Sequence, residues 1–196
     1  MINPWLEWTA VAFSTAGVWM MVQRRLLGWP LGLIAVCLFT VVFSQAKLYS
    51  DALLQVVFGG FVIYGWRNWY RQADTVDGRP AVIPLPRSKQ LRDIGIGIAG
   101  GLALGTIMAT CTDAHAPWLD AMLASLSLVA QWWQARRHAS AWWMWIAVDV
   151  VYIGLYASKS LHATALLYLL FIAMAARGLY AWRQAEKSAA LATEDN

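Results

Sequence analysis

W-W-M-W-I-A-V-D-V-V-Y-I-G-L-Y, running from Trp142 to Tyr156, is an apolar stretch long enough for most of a membrane crossing, with Asp149 at its middle. A carboxylate at that depth costs about 3 kcal/mol or more, so its presence calls for a use. At about 100° per residue, Trp142, Trp145, Asp149, Tyr152 and Tyr156 fall on one stripe of a helix. Such a stripe can form the wall of a pocket for a flat ligand with polar edges.

The composition agrees with a lipid solvent. Hydrophobic residues make up 60% of the chain and charged residues 13%, whereas a soluble domain is typically about one-quarter charged. The fold class expected is an all-α integral membrane protein. Cys37 and Cys111 sit far apart inside apolar segments, which suits packing and provides neither a disulfide framework nor a zinc spacing. The N-terminal M-I-N-P-W-L-E-W has no basic region or small-residue cleavage site, so the first helix is expected to stay as its own insertion signal.

Apolar stretches bounded by polar or turn residues predict seven transmembrane helices, over 5–23, 29–46, 48–69, 93–111, 118–134, 141–158 and 162–182. The one long connection, 70–92, contains Pro80, Pro84 and Pro86 and reads as a solvent-side loop. Of 15 lysines and arginines, only Lys47 and Lys159 fall on the side opposite the rest. That bias puts the N-terminus outside and the C-terminus in the cytoplasm. The net charge of +4 therefore reports topology, and no nucleic-acid partner is expected.

A shift of 113 residues places Ser14 on Ser127, Trp19 on Trp132, Arg24 on Arg137 and Trp29 on Trp142. The same register matches Phe58 with Phe171, Gly65 with Gly178 and Trp69 with Trp182. Three tryptophans and a glycine in one register argue for a duplicated unit. Because four spans separate the copies, both have the same orientation, which gives a 3+1+3 parallel repeat with a substrate site between halves. The expected organisation is a first three-helix repeat over 1–70, a cytoplasmic loop over 71–92, a linker helix and outer loop over 93–117, a second repeat over 118–183 and a cytoplasmic tail over 184–196.

Y-G-W-R-N-W (Tyr64 to Trp69), L-D-A-M-L-A-S-L-S-L-V-A-Q-W (Leu119 to Trp132), the Trp142–Tyr156 stretch and L-H-A-T-A-L-L-Y (Leu161 to Tyr168) together resemble the PnuC nicotinamide riboside transporters. The resemblance spans nearly the whole chain. It implies a SWEET-like arrangement in a bacterial inner membrane and import of the vitamin by facilitated diffusion, with a cytoplasmic kinase trapping it by phosphorylation. It further implies that Trp142 and Trp145 line the substrate site, with Gln55, Gln131, Tyr152 and Tyr168 beside them. Many relatives carry Glu-Asn before the first of these tryptophans, where this chain has Ser140-Ala141. That departure leaves thiamin and riboflavin open as alternative cargo. A homotrimer fits such proteins, although no residue demands one.

The residues support the same chemistry independently. An aromatic cation joined to a sugar suits aromatic faces and amide or carboxylate acceptors. Trp142 and Trp145 can supply the faces, and Asp149, Gln55 and Gln131 the acceptors. Competing readings exist for each residue. Trp5, Trp8, Trp66, Trp69, Trp118, Trp132, Trp133 and Trp182 lie near span ends and read as interfacial belt residues. Asp149 could bond a neighbouring helix, or act as the coupling group of an ion-driven transporter. His115, His138 and His162 lie at span ends or in loops, so no metal site or cofactor is expected. No nucleophile and base stand at matching depth, which argues against an intramembrane enzyme. Gly95, Gly97 and Gly100 spell G-x-G-x-x-G but continue an apolar helix. Gly97, Gly101 and Gly105 instead form a small-residue stripe suited to helix packing.

Overall fold

The protein is described by a computed structural model covering residues 4–46, 49–71, 75–76, 79–111, 116–158 and 162–194. Lys47, Lys159 and His115, and the side chains of Asp51, Tyr156, His162 and Thr164, lie outside what is described. Seven helices follow in order: α1 (Pro4–Val22), α2 (Gly28–Gln45), α3 (Tyr49–Arg71), α4 (Arg87–Cys111), α5 (Pro117–Ala135), α6 (Ser140–Ser158) and α7 (His162–Glu194). An antiparallel pair of two-residue strands, β1 (Thr75–Val76) and β2 (Arg79–Pro80), interrupts the connection between α3 and α4. Among the described residues, three segments, Gly28–Gln45, Arg87–Cys111 and Leu166–Ala189, are clearly long and apolar enough to cross a bilayer.

Two helices outrun their expected spans. α4 starts at Arg87, six residues before the expected start at 93, because a polar first turn can be helical without being apolar. α7 continues to Glu194, through Ala, Gln, Glu and Lys residues that favour helix on their own account.

Six helices close a ring through the contacts α1–α2, α2–α3, α3–α5, α5–α6, α6–α7 and α7–α1. α4 stands outside it against α5. The glycine stripe explains that packing. A methyl group at Gly97 would come within 2.8 Å of Val129, one at Gly101 within 2.9 Å of Met122, and one at Gly105 within 2.8 Å of Trp118. Ser125 Oγ also donates to the Gly97 carbonyl at 2.7 Å. The G-x-G-x-x-G segment is helical throughout.

Residues 113 apart repeat local geometry. Arg24 and Arg137 both adopt left-handed backbone, with φ of 56° and 66°. Each closes its helix as a Schellman turn. Arg24 N–H donates to the Met21 carbonyl and Arg25 N–H to that of Met20; Arg137 and His138 do the same to Gln134 and Trp133.

A tryptophan cluster joins the helices inside the ring. Trp29 meets Trp69 edge-on at 5.3 Å, Trp142 meets Trp182 edge-on at 5.5 Å, and Trp69 and Trp182 touch at 5.6 Å. Trp69 Nε1 donates to the Gln134 carbonyl at 3.3 Å, and Trp182 Nε1 to the Met21 carbonyl at 3.1 Å. Trp69, Trp133 and Trp182 are thus core residues, not the belt residues expected from their position near helix ends. Their indole N–H groups find acceptors inside the protein, Trp133 on Asp93 Oδ2 at 2.9 Å. Trp5, Trp8 and Trp118 remain exposed.

Candidate functional site

The ring encloses a cavity of about 430 Å³, within the range of small-molecule sites. All seven residues nominated from sequence, Gln55, Gln131, Trp142, Trp145, Asp149, Tyr152 and Tyr168, line it. Four come from the α6 stripe at intervals that keep one face inward, which is why helical periodicity alone could gather them.

Trp145 is the best-anchored aromatic wall. Its Nε1 donates to Gln134 Oε1 at 2.8 Å, and Gln134 is itself buried, so the indole plane is held by a partner on α5. Trp142 differs. It is 1% exposed, and a methyl group at Gly178 would lie 2.6 Å from its ring. Its face is therefore covered by α7, and the cavity receives an edge. The Nε1 atoms of Trp142 and of Trp29 are both buried without a hydrogen-bond partner.

The polar lining is concentrated on α5, α6 and α7. Ser127, Gln131 and Asp149 are buried and have no hydrogen-bond partner among the described residues. Their polar atoms are not sealed within the packing either, so they are available to a molecule in the cavity. Buried polar groups that the protein leaves unmatched are costly unless a ligand or water meets them. Tyr152 and Tyr168 pack at 5.0 Å, and Tyr168 meets Phe171 edge-on at 6.0 Å, forming a further aromatic wall.

Residues 113 apart face each other's counterparts around this space. Ser14 and Ser127, Trp29 and Trp142, Gly32 and Trp145, Val36 and Asp149, Phe39 and Tyr152, and Gln55 and Tyr168 all line it. The α1–α3 members are mainly small or apolar, while those of α5–α7 carry the chemistry. Gln134, Trp29 and Ser14 were missed as site residues from sequence. The repeat register held the signal for Trp29 and Ser14, each matched to a cavity residue. Gln134 lies one helical turn beyond Gln131 near the end of α5, a position that in sequence reads as interfacial.

No group of three or more His, Cys, Asp or Glu side chains suited to a metal occurs among the described residues.

Residues 4–184 match the family described as Nicotinamide mononucleotide transporter. The chain belongs to that family. As a member of the nicotinamide mononucleotide transporter family it is a multi-pass membrane transporter and not an enzyme. Among relatives, the nicotinamide riboside transporter PnuC of Escherichia coli (strain K12) is 25% identical over 204 residues, covering 90% of this chain and 85% of that one. The riboflavin/roseoflavin transporter RibM of Streptomyces davaonensis is 25% identical over 163 residues, covering 82% and 76%. A crystal structure of the vitamin B3 transporter PnuC superposes with a TM-score of 0.79 at 20% identity, covering 95% of this chain and 83% of that one. This family member thus shares its fold with a transporter of known structure.

Proposed function

We propose that this protein imports nicotinamide riboside across a bacterial inner membrane, binding it in the ring cavity. The observation that carries the reading is the convergence of Trp145, Asp149, Gln131 and Tyr152 on one cavity of about 430 Å³, together with PnuC relatives that cover most of the chain. The nicotinamide cation stacks on Trp145 and meets the tyrosine wall, where an aromatic face attracts positive charge. The ribose hydroxyls bond Gln131, Asp149 and Gln55, and Trp142 contributes apolar wall. Gln134 positions Trp145.

The two three-helix sets act as halves of a 3+1+3 parallel repeat in a SWEET-like arrangement, with α4 as the inverting linker. The paired Schellman turns, the paired cavity residues and the reciprocal bonds Trp69 to Gln134 and Trp182 to Met21 support that relation. Because Met21 and Gln134 are themselves 113 apart, those two bonds exchange under a pseudo-two-fold axis. Transport is rocking of the halves about the vitamin, and the Trp69–Trp182 contact on that axis must rearrange as they move. The process is facilitated diffusion, made unidirectional by a cytoplasmic kinase that phosphorylates the vitamin. The lysine and arginine bias supports an outer N-terminus and a cytoplasmic C-terminus, and a homotrimer is the proposed assembly.

A second reading is favoured by the RibM relative, which matches at the same identity as PnuC: the cargo is riboflavin. Calorimetric titration of the purified protein with nicotinamide riboside, thiamin and riboflavin separates these. Micromolar or tighter binding of the riboside alone supports the first reading, preference for riboflavin installs the second, and silence toward all three removes both.

A further inference from the structure

A second cavity, of about 310 Å³, lies where the end of α3, the Ile83–Pro86 segment, the start of α4 and the α5–α6 turn meet. It shares no lining residue with the ring cavity. Lys89, Arg92 and Arg136 line it, against a single carboxylate, Asp93.

That carboxylate is already engaged on both oxygens. Oδ1 accepts from Arg92 Nε at 3.0 Å and Nη2 at 2.8 Å, and Oδ2 accepts from Trp133 Nε1 at 2.9 Å. Two cations are left over. Lys89 makes no ion pair among the described residues. Arg136 sits over the Trp132 ring, its Cζ 4.5 Å from the ring centre, and only its Nε is engaged, weakly, by Tyr64 Oη at 3.5 Å. The guanidinium is thus oriented by a ring while its terminal N–H groups point to no acceptor among the described residues.

A buried imidazole completes the arrangement. His138 is 9% exposed, and its Nδ1 lies 2.8 Å from the Ile83 carbonyl. An accepting carbonyl requires Nδ1 to carry the proton, so Nε2 is left as the free nitrogen. Nε2 is neither hydrogen-bonded nor sealed into the packing, which leaves it facing the cavity. In the neutral ring it accepts the P–OH of a monoprotonated phosphate, and in the charged ring it donates to a phosphate oxygen. The α4 start adds the positive end of a helix dipole.

We propose that this cavity is a phosphate-binding site, in which Arg136 and Lys89 grip the oxygens of a phosphate group and His138 Nε2 reads its protonation. A free phosphomonoester and an anionic lipid headgroup share that chemistry. The proposal does not depend on which vitamin the ring cavity carries.

The test uses the full chain in nanodiscs. In discs of phosphatidylcholine alone, at an ionic strength low enough that surface charges are not screened, inorganic phosphate is titrated calorimetrically with chloride as the control. In a second set, phosphatidylglycerol replaces part of the lipid and thermal stability is followed. Lys89→Gln and Arg136→Gln are compared with wild type and with Arg183→Gln, which lies outside the cavity. Lys89 is exposed and unpaired, so its variant leaves the packing intact. Phosphate binding that weakens about tenfold in both cavity variants but not in Arg183→Gln supports a soluble ligand. A phosphatidylglycerol-dependent stabilisation lost in the same two variants supports a lipid headgroup. No response to either source, or a response equal in all variants, overturns the site. Riboside uptake by Lys89→Gln, measured alongside, keeps this result distinct from the fate of the transport reading.

Discussion

Replacing Trp145 tests both the pocket and the way it is built. Its ring is half-buried, lines the cavity and is held by the 2.8 Å bond to Gln134. Removing a stacked aromatic costs about 1–3 kcal/mol per base by analogy, so Trp145→Ala should weaken riboside binding roughly 5- to 150-fold. Trp145→Phe keeps an aromatic face but gives up the N–H, and a neutral hydrogen bond contributes about 0.5–1.5 kcal/mol. Its affinity loss should be about 2- to 12-fold. Gln134→Leu removes the other partner of the same bond, so if Gln134 acts only by positioning the indole, the double variant should lose no more than the worse single one. Calorimetric titration of the four variants beside wild type, with melting temperatures as a folding check, supplies the data. Well-folded Trp145→Ala that binds within twofold of wild type would remove the stacking role, and fully additive losses would give Gln134 a direct contact with the ligand instead.

Gly32 lines the cavity, and a Cβ added there meets nothing within 4 Å. Gly32→Leu should therefore fold normally yet occupy the ligand's space, abolishing riboside binding at an unchanged melting temperature. Gly178 is the opposite case. A methyl group there would press the Trp142 ring, boxed in by Trp182, at 2.6 Å, so Gly178→Ala should destabilise by about 1–3 kcal/mol, whereas Gly154→Ala, in open space, should be neutral or slightly stabilising in thermal unfolding. Burial holds His138 below the ordinary histidine range, with Arg136 and Lys89 adding to that and the Ile83 carbonyl and Asp93 opposing it. The unfolded chain then binds the extra proton first, so stability should fall as pH drops through the ordinary histidine value, and His138→Gln should flatten that part of a melting-temperature profile.

The helical stripe was readable because Trp142, Trp145, Asp149 and Tyr152 repeat with the period of the helix, and polar residues inside an apolar segment have few places to face but inward. The G-x-x-x-G stripe of α4 was readable for a related reason: small residues at one spacing leave a groove that α5 fills. The tryptophans were not. Trp69 and Trp182 lie at the ends of the spans expected from sequence, where position does not distinguish lipid from core; only Gly65 and Gly178, leaving room for Trp29 and Trp142 on facing helices, show which way the cluster turns. The start of α4 was hidden because its first turns are polar. Trp142 shows a subtler limit. Periodicity placed it on the cavity wall, but whether a ring offers its face or its edge depends on what packs behind it, here Gly178 on a helix remote in sequence.

Uptake of labelled nicotinamide riboside into liposomes containing only this protein tests the central claim most directly. The account predicts saturable entry that continues until inside and outside concentrations match, with no ion gradient, and that is lost in Gly32→Leu. Absence of entry, accumulation that requires a proton or sodium gradient and disappears in Asp149→Asn, or entry of riboflavin in preference to the riboside would contradict it.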